Sequence, residues 1–182
     1  ALPNLCDNIK CGNSLIGPDY FAGMLIPDPD EMRRVNPFDW NHEFPQAMGE
    51  GGFDCVIGNP PYVRQETLGE MKTYFQEHYQ VYHSMADLYT YFFEQAHRLI
   101  KPGGLFGMIC SNKFMRSNYG KSLRIFLRSA VTLKQIIDFG ELPVFQKAAT
   151  FPAIFLTDKV QTAEQRFLYA PVKRLGFSSL DD

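Results

Sequence analysis

The 182 residues predict an α/β domain built on a mixed sheet. Three observations carry that expectation. Phe53-Asp54-Cys55-Val56-Ile57 is a short apolar run between the breakers Gly51-Gly52 and Gly58, and it reads as a buried strand of a parallel sheet. Ala86 to Ile100 repeats Leu88, Tyr91, Phe92, Gln95, Ala96 and Leu99 at helical spacing, and Leu105 to Cys110 follows as a second apolar strand. Strand, helix and strand make one crossover unit. Leu133–Phe139 and Phe151–Thr157 are two further strands, and the link 140–149 is short for a helical crossover, so they pair antiparallel.

Composition sets the bounds. A hydrophobic content of 45% in a chain of this length supports one domain with a real core. The net charge of −2 argues against this chain alone holding a duplex, because phosphate contacts need clustered Lys and Arg. Cys6, Cys11, Cys55 and Cys110 show no Cys-x-x-Cys spacing. They read as reduced thiols of a cytoplasmic protein, with Cys55 and Cys110 buried in strands. No apolar run reaches the ~18 residues of a membrane span, and no signal-peptide pattern or internal repeat is present.

The remaining elements follow in chain order. Asn8 to Leu15 reads as a short strand and a turn. Residues 17–50 carry five prolines and no long element, with a helical turn or two expected at Asp30–Val35. Phe38, Trp40 and Phe44 pack this segment down, and the adjacent His42-Glu43 lacks a third ligand for a metal. Glu70–Tyr79 is a helix candidate within a polar, aromatic stretch. Ser84 is a candidate cap for the 86–100 helix, and Lys101-Pro102-Gly103-Gly104 ends it. Ser117 or Asn118 caps a further helix to Ser129, with Leu123, Phe126, Leu127 and Ala130 as its apolar face and Lys121, Arg124 and Arg128 opposite. Gln165–Ala170 adds a strand.

The chemistry sits where the first strand ends. Pro60 and Pro61 stop it, since each lacks an N–H and has a fixed φ. Pro61 holds Pro60 extended, which leaves the Pro60 carbonyl as an acceptor. The Asn59 side-chain oxygen is a second acceptor, and Tyr62 offers a flat face. Two acceptors beside a stacking ring suit an exocyclic amino group on a planar base.

Asn59-Pro60-Pro61-Tyr62 after Phe53-Asp54-Cys55-Val56-Ile57-Gly58 resembles the catalytic motif of S-adenosylmethionine-dependent amino-methyltransferases. The continuation Val63-Arg64-Gln65-Glu66, with Ala86-Asp87-Leu88-Tyr89 and Leu99 to Gly104, resembles the adenine-N6 DNA methyltransferases of type IIG restriction–modification enzymes. The resemblance covers about residues 8–158. It implies a partial Rossmann-like methyltransferase sheet, mixed, with an antiparallel final strand. It implies that Asn59 and Pro60 receive the target amine and that Tyr62 and Phe145 sandwich the flipped base, with Pro61 completing the catalytic set. It assigns Asn13, Phe92 and, second to it, Tyr89 to the S-adenosylmethionine adenine, although Asp is usual where Asn13 stands. Gly12-Asn13 as a plain turn remains the other reading. Arg64, Lys113, Arg116 and Lys121 are candidate contacts to double-stranded DNA, or else a solvated basic face.

The family also needs a Gly-rich turn after its first strand and an acidic residue ending its second. Neither is visible before residue 12. The expectation is therefore a fragment: residues 1–160 a partial catalytic domain with a 17–50 insertion, and 161–182 an extra strand and linker toward an absent DNA-recognition domain. Alone it is expected to be inactive and to self-associate through its open sheet edge. Two alternatives stand beside the DNA enzyme. One is a glutamine methyltransferase of translation release factors, which shares the four-residue motif but lacks the 17–50 insertion. The other is a non-catalytic fragment that binds DNA or another subunit.

Overall fold

In the computed structural model the described residues are 5, 7–63, 69–145, 151–160, 162 and 166–176. The chain divides into two compact units, 1–53 and 54–182.

The first unit is short helices and turns. α1 (Pro29–Val35) begins with Asp28 accepting the Asp30 N–H and ends at Asn36 in the left-handed region (φ 47°). α2 (Trp40–Glu43) is capped by Asp39, which accepts from the Asn41 and His42 N–H groups. α3 (Pro45–Gly49) leads to the Gly51-Gly52 turn, where both glycines have positive φ. Phe38, Trp40, Phe44 and Phe53 form one aromatic cluster, with Trp40 stacked on Phe44 at 5.7 Å. The strand expected within Asn8–Leu15 does not form: Asn13 makes a single bridge to Pro37, and the Asn8 and Ile9 N–H groups turn back to the Leu5 carbonyl.

The second unit carries the sheet, in the order β1 (Phe53–Gly58), β2 (Ile100–Ser111), β4 (Pro152–Asp158), β3 (Thr132–Asp138) and β5 (Leu168–Pro171). Ile57 lies by Gly107 and Gly58 by Met108, so register advances together along β1 and β2, the sense of a parallel pair. β4 runs antiparallel to both β2 and β3, as the short link required, and β5 is parallel to β3. β1 is an edge strand. Cys55 and Ile57 are exposed rather than buried, which corrects the sequence reading of this run; Cys11 is also exposed, and of the described cysteines Cys110 alone is buried.

α4 (Met71–His78), α5 (Tyr89–Leu99) and α6 (Lys121–Ser129) pack the unit. α5 starts three residues later than its apolar pattern suggested, and Ser84 does not cap it. The chain before it is committed elsewhere: the Leu88 N–H donates to the Val63 carbonyl and the Thr90 hydroxyl to the Asp87 carbonyl. Its buried face is also rotated from expectation. Tyr89, Phe93 and His97 face the core, where Phe93 meets Phe106, Phe114 and Phe155. Tyr91 is buried on another side, stacked on Phe75 of α4 at 4.6 Å. Leu88, Phe92 and Gln95 are only half-buried. Two packed sides explain why Glu94 is buried in mid-helix, where it accepts the Val81 N–H and pairs with Arg98.

α6 buries Leu123, Phe126 and Leu127 but leaves Ala130 exposed. Neither Ser117 nor Asn118 caps it by a side chain. Gly120 takes the cap position, where a Cβ would lie 1.9 Å from the Phe114 carbonyl oxygen. Arg124 is withdrawn from the expected basic face, because its guanidinium donates to the Phe114 and Ser117 carbonyls at 2.5 and 2.8 Å.

Candidate active site

β1, β2 and β3 all end at one edge of the sheet, the edge at which open α/β sheets bind ligands. Asn59 leaves β1 there with its side chain exposed, and Pro60 is buried, so the loop is anchored at one proline and open on either side. Pro61 is exposed. Tyr62 is 38% exposed and rests on Tyr89, with ring centroids 6.1 Å apart and planes tilted by 47°. Burial, and then the neighbouring Cys110, push the Tyr62 phenol up to about 12, so it stays protonated near neutrality. The Val63 carbonyl is tied to the start of α5 by the Leu88 N–H at 2.8 Å.

Tyr89 is fully buried beneath this loop, and its hydroxyl meets that of Tyr119 at 3.1 Å. Tyr119 in turn donates to Asp87 Oδ2 at 3.3 Å. Tyr89 is thus the buried floor under Tyr62. Phe92 is half-buried on α5 and keeps an open side. Asn13 lies in the first unit, where its Oδ1 accepts the Leu15 N–H at 3.2 Å in an Asx turn. Its amide N–H groups are not used in that turn.

Phe145 is half-buried in the loop after β3, where the Val144 N–H bonds the Leu142 carbonyl. Among the described residues no ring contact joins Tyr62 and Phe145. Of the basic candidates, Lys113 and Arg116 come together beside the end of β2, and Lys121 is exposed at the start of α6. Arg64 lies outside the described residues. The residues that the sequence reading missed are Tyr119 and Asp138. Asp138 ends β3 and gathers the Asn112 amide, the Gly140 N–H and the Tyr169 hydroxyl. Burial works against its charge, but those three donors and the Arg116 cation hold its carboxyl below the usual range. No group of metal-ligating side chains occurs among the described residues.

The fold and the loop at its edge define a class first. The sheet shares the fold of a candidate class I S-adenosylmethionine-dependent methyltransferase from Listeria monocytogenes (TM-score 0.56, 17% identity, 71% of this chain and 40% of that one). It likewise shares the fold of the type IIL restriction–modification enzyme MmeI, solved with DNA (TM-score 0.55, 16% identity, 72% and 18%). Within that class, the family model of the Eco57I restriction-modification methylase matches residues 3–145, and the chain belongs to that family. Relatives include the type II methyltransferase M.PaeR7I of Pseudomonas aeruginosa, 32% identical over 71% of this chain. The type II restriction enzyme and methyltransferase RM.Eco57I of Escherichia coli is 30% identical over 87% of it. The chain spans 23% and 15% of those two proteins.

Proposed function

We propose that the chain is the base-receiving part of an enzyme that transfers a methyl group from S-adenosylmethionine to the N6 amino group of adenine in DNA, within a restriction–modification system. The observation that carries the reading is the Asn59–Tyr62 loop at the carboxyl end of β1, anchored by buried Pro60 with Tyr62 held open on Tyr89. Membership of the Eco57I family supports it.

In this reading the target base leaves the helix and lies on Tyr62, with Phe145 on its other side. Asn59 Oδ1 and the Pro60 carbonyl accept the two N–H bonds of the amine. Those acceptors localise the nitrogen lone pair toward the methyl group and stabilise the positive charge that develops on it. Positioning supplies the rest. The product amine loses its proton to water, so no general base is needed. Phe92, with its open side, is the residue of the second unit suited to the donor's adenine, and the donor supplies the electrophilic methyl when bound. Lys113 and Arg116 serve the DNA backbone, with Lys121 and Arg64 as further contacts. The cytoplasm, where DNA and S-adenosylmethionine coexist, is the compartment this requires.

The test uses the polypeptide of relatives' length that contains this chain. Asn59→Ala is expected to lower adenine methylation of DNA by about 10²–10³-fold, the usual cost of one charge-stabilising group. Methylation of a protein glutamine in place of DNA would sink the assignment in favour of the release-factor reading. Methylation that survives the substitution unchanged would remove Asn59 from the chemistry.

A further inference from the structure

A cleft of about 550 Å³ opens at the same sheet edge, between the segment after β2 and the loop after β3. Its walls include Asn112, Lys113, Arg116, Tyr119, Asp138 and Phe151. Asn59, Tyr62 and Phe145 are not among its lining residues. It is joined to the loop through two phenols, because Tyr119 bonds Tyr89 and Tyr62 rests on Tyr89. We propose that this cleft is a subsite for one nucleotide of DNA adjacent to the methylated one, and that Asn112 reads its base. The proposal rests on the reading of the Asn59–Tyr62 loop given above and extends it to a neighbouring position.

The lining has the chemistry of a nucleotide. Lys113 and Arg116 are exposed cations; Arg116 makes no ion pair within 4 Å among the described residues, and Lys113 sits 5.1 Å above the Phe151 ring. They offer a phosphate two partners. Phe151 and Tyr119 are flat walls for a ring. The volume lies within the range of small-ligand sites, about 300–1,000 Å³.

The orientation of Asn112 singles out its role. Its Nδ2 donates to Asp138 Oδ1 at 2.8 Å. The amide cannot be reversed, because an oxygen facing the Asp138 carboxylate would meet an acceptor. The carboxylate is itself fixed by the Gly140 N–H at 3.0 Å and the Tyr169 hydroxyl at 2.8 Å. Asn112, which lines the cleft, thereby keeps its Oδ1 as an acceptor outside that bond, in an orientation set by three elements of the fold. An oriented acceptor discriminates between base edges in a way that a cation does not. Charge balance argues against a site for free anions, since Asp138 and Glu141 match Lys113 and Arg116 in number. A ligand that brings both a phosphate and a hydrogen-bonding ring uses every wall.

The test is a titration of the isotope-labelled chain with each of the four deoxynucleoside monophosphates, followed by NMR without S-adenosylmethionine. The Asn112 side-chain amide and the backbone amides of Lys113 and Gly140 are expected to shift with at least one nucleotide. Arg116→Ala, an exposed position that the fold does not need, is expected to weaken binding of every nucleotide about fivefold or more through loss of a phosphate contact. Asn112→Ala is expected to flatten the preference among the four bases. Three results would overturn the subsite: the same shifts from inorganic phosphate alone, shifts confined to residues 59–63, or none up to about 10 mM nucleotide. Because no methyl transfer is involved, failure here leaves the methylation assay standing, and failure of that assay leaves this binding to be read on its own.

Discussion

His97 shows how one residue's charge state follows from its place in the core. Its Nδ1 bonds the Phe93 carbonyl at 2.6 Å and its Nε2 the Thr157 hydroxyl at 2.7 Å. Since Nδ1 must donate to a carbonyl, the neutral ring carries its proton there and Nε2 accepts from Thr157. Burial lowers its pKa to about 4, with Lys159 adding to the effect and the Phe93 carbonyl opposing it. The sign follows from linkage: below the unfolded value of 6.5 the unfolded chain binds a proton that the folded chain refuses. Stability is therefore expected to fall as pH drops from about 6.5 toward 4, by up to on the order of 3 kcal/mol. Urea unfolding at a series of pH values, with His97→Gln as the control that removes this slope, measures it. A His97→Gln protein with the same slope would assign the acid sensitivity elsewhere. At this scale Asn59, Pro60 and Tyr62 were legible in the sequence, because Pro-Pro after an apolar run forces the strand to stop and expose its neighbours. Tyr89 was not, because a tyrosine in an aromatic stretch carries no sign of which face it will bury.

At the scale of elements, the edge strand β1 has the most direct consequence. Among the described strands β1 pairs with β2 alone, and Ile57 is 80% exposed. Its one charged brake is Asp54, which pairs with Lys101 of β2. An open edge with exposed apolar side chains favours pairing with another strand. We expect the chain to self-associate in a concentration-dependent way and Ile57→Lys to shift it toward monomer, as read by sedimentation velocity. A chain that stays monomeric at every concentration would show that the edge is covered. The antiparallel placing of β4 was readable from the short 140–149 link, which a helical crossover does not fit. The face of α5 was not readable. Its apolar pattern fits more than one stripe, and the choice was made by α4 and the sheet closing on it from two sides.

At the scale of the molecule, the function proposed above puts the acceptor side of a transfer reaction at one sheet edge. The resemblance implies a Gly-rich turn after an early strand for the methyl donor, and this sequence shows none. Calorimetry of S-adenosylmethionine against the chain alone is expected to show binding weaker than micromolar. Micromolar affinity would mean that the residues of this chain suffice for the donor. No helix of the described residues is long and apolar enough to cross a membrane.

By itself the sequence determined where the first strand stops and the alternation of strands and helices, since both follow from local rules: proline geometry, hydrophobic period and link length. Tertiary structure decided which tyrosine would be floor and which would be open. It decided that Arg124 would tie a turn, and that Asp138 would orient Asn112. Those outcomes depend on partners 7 to 30 residues away, brought together by packing rather than by any pattern along the chain.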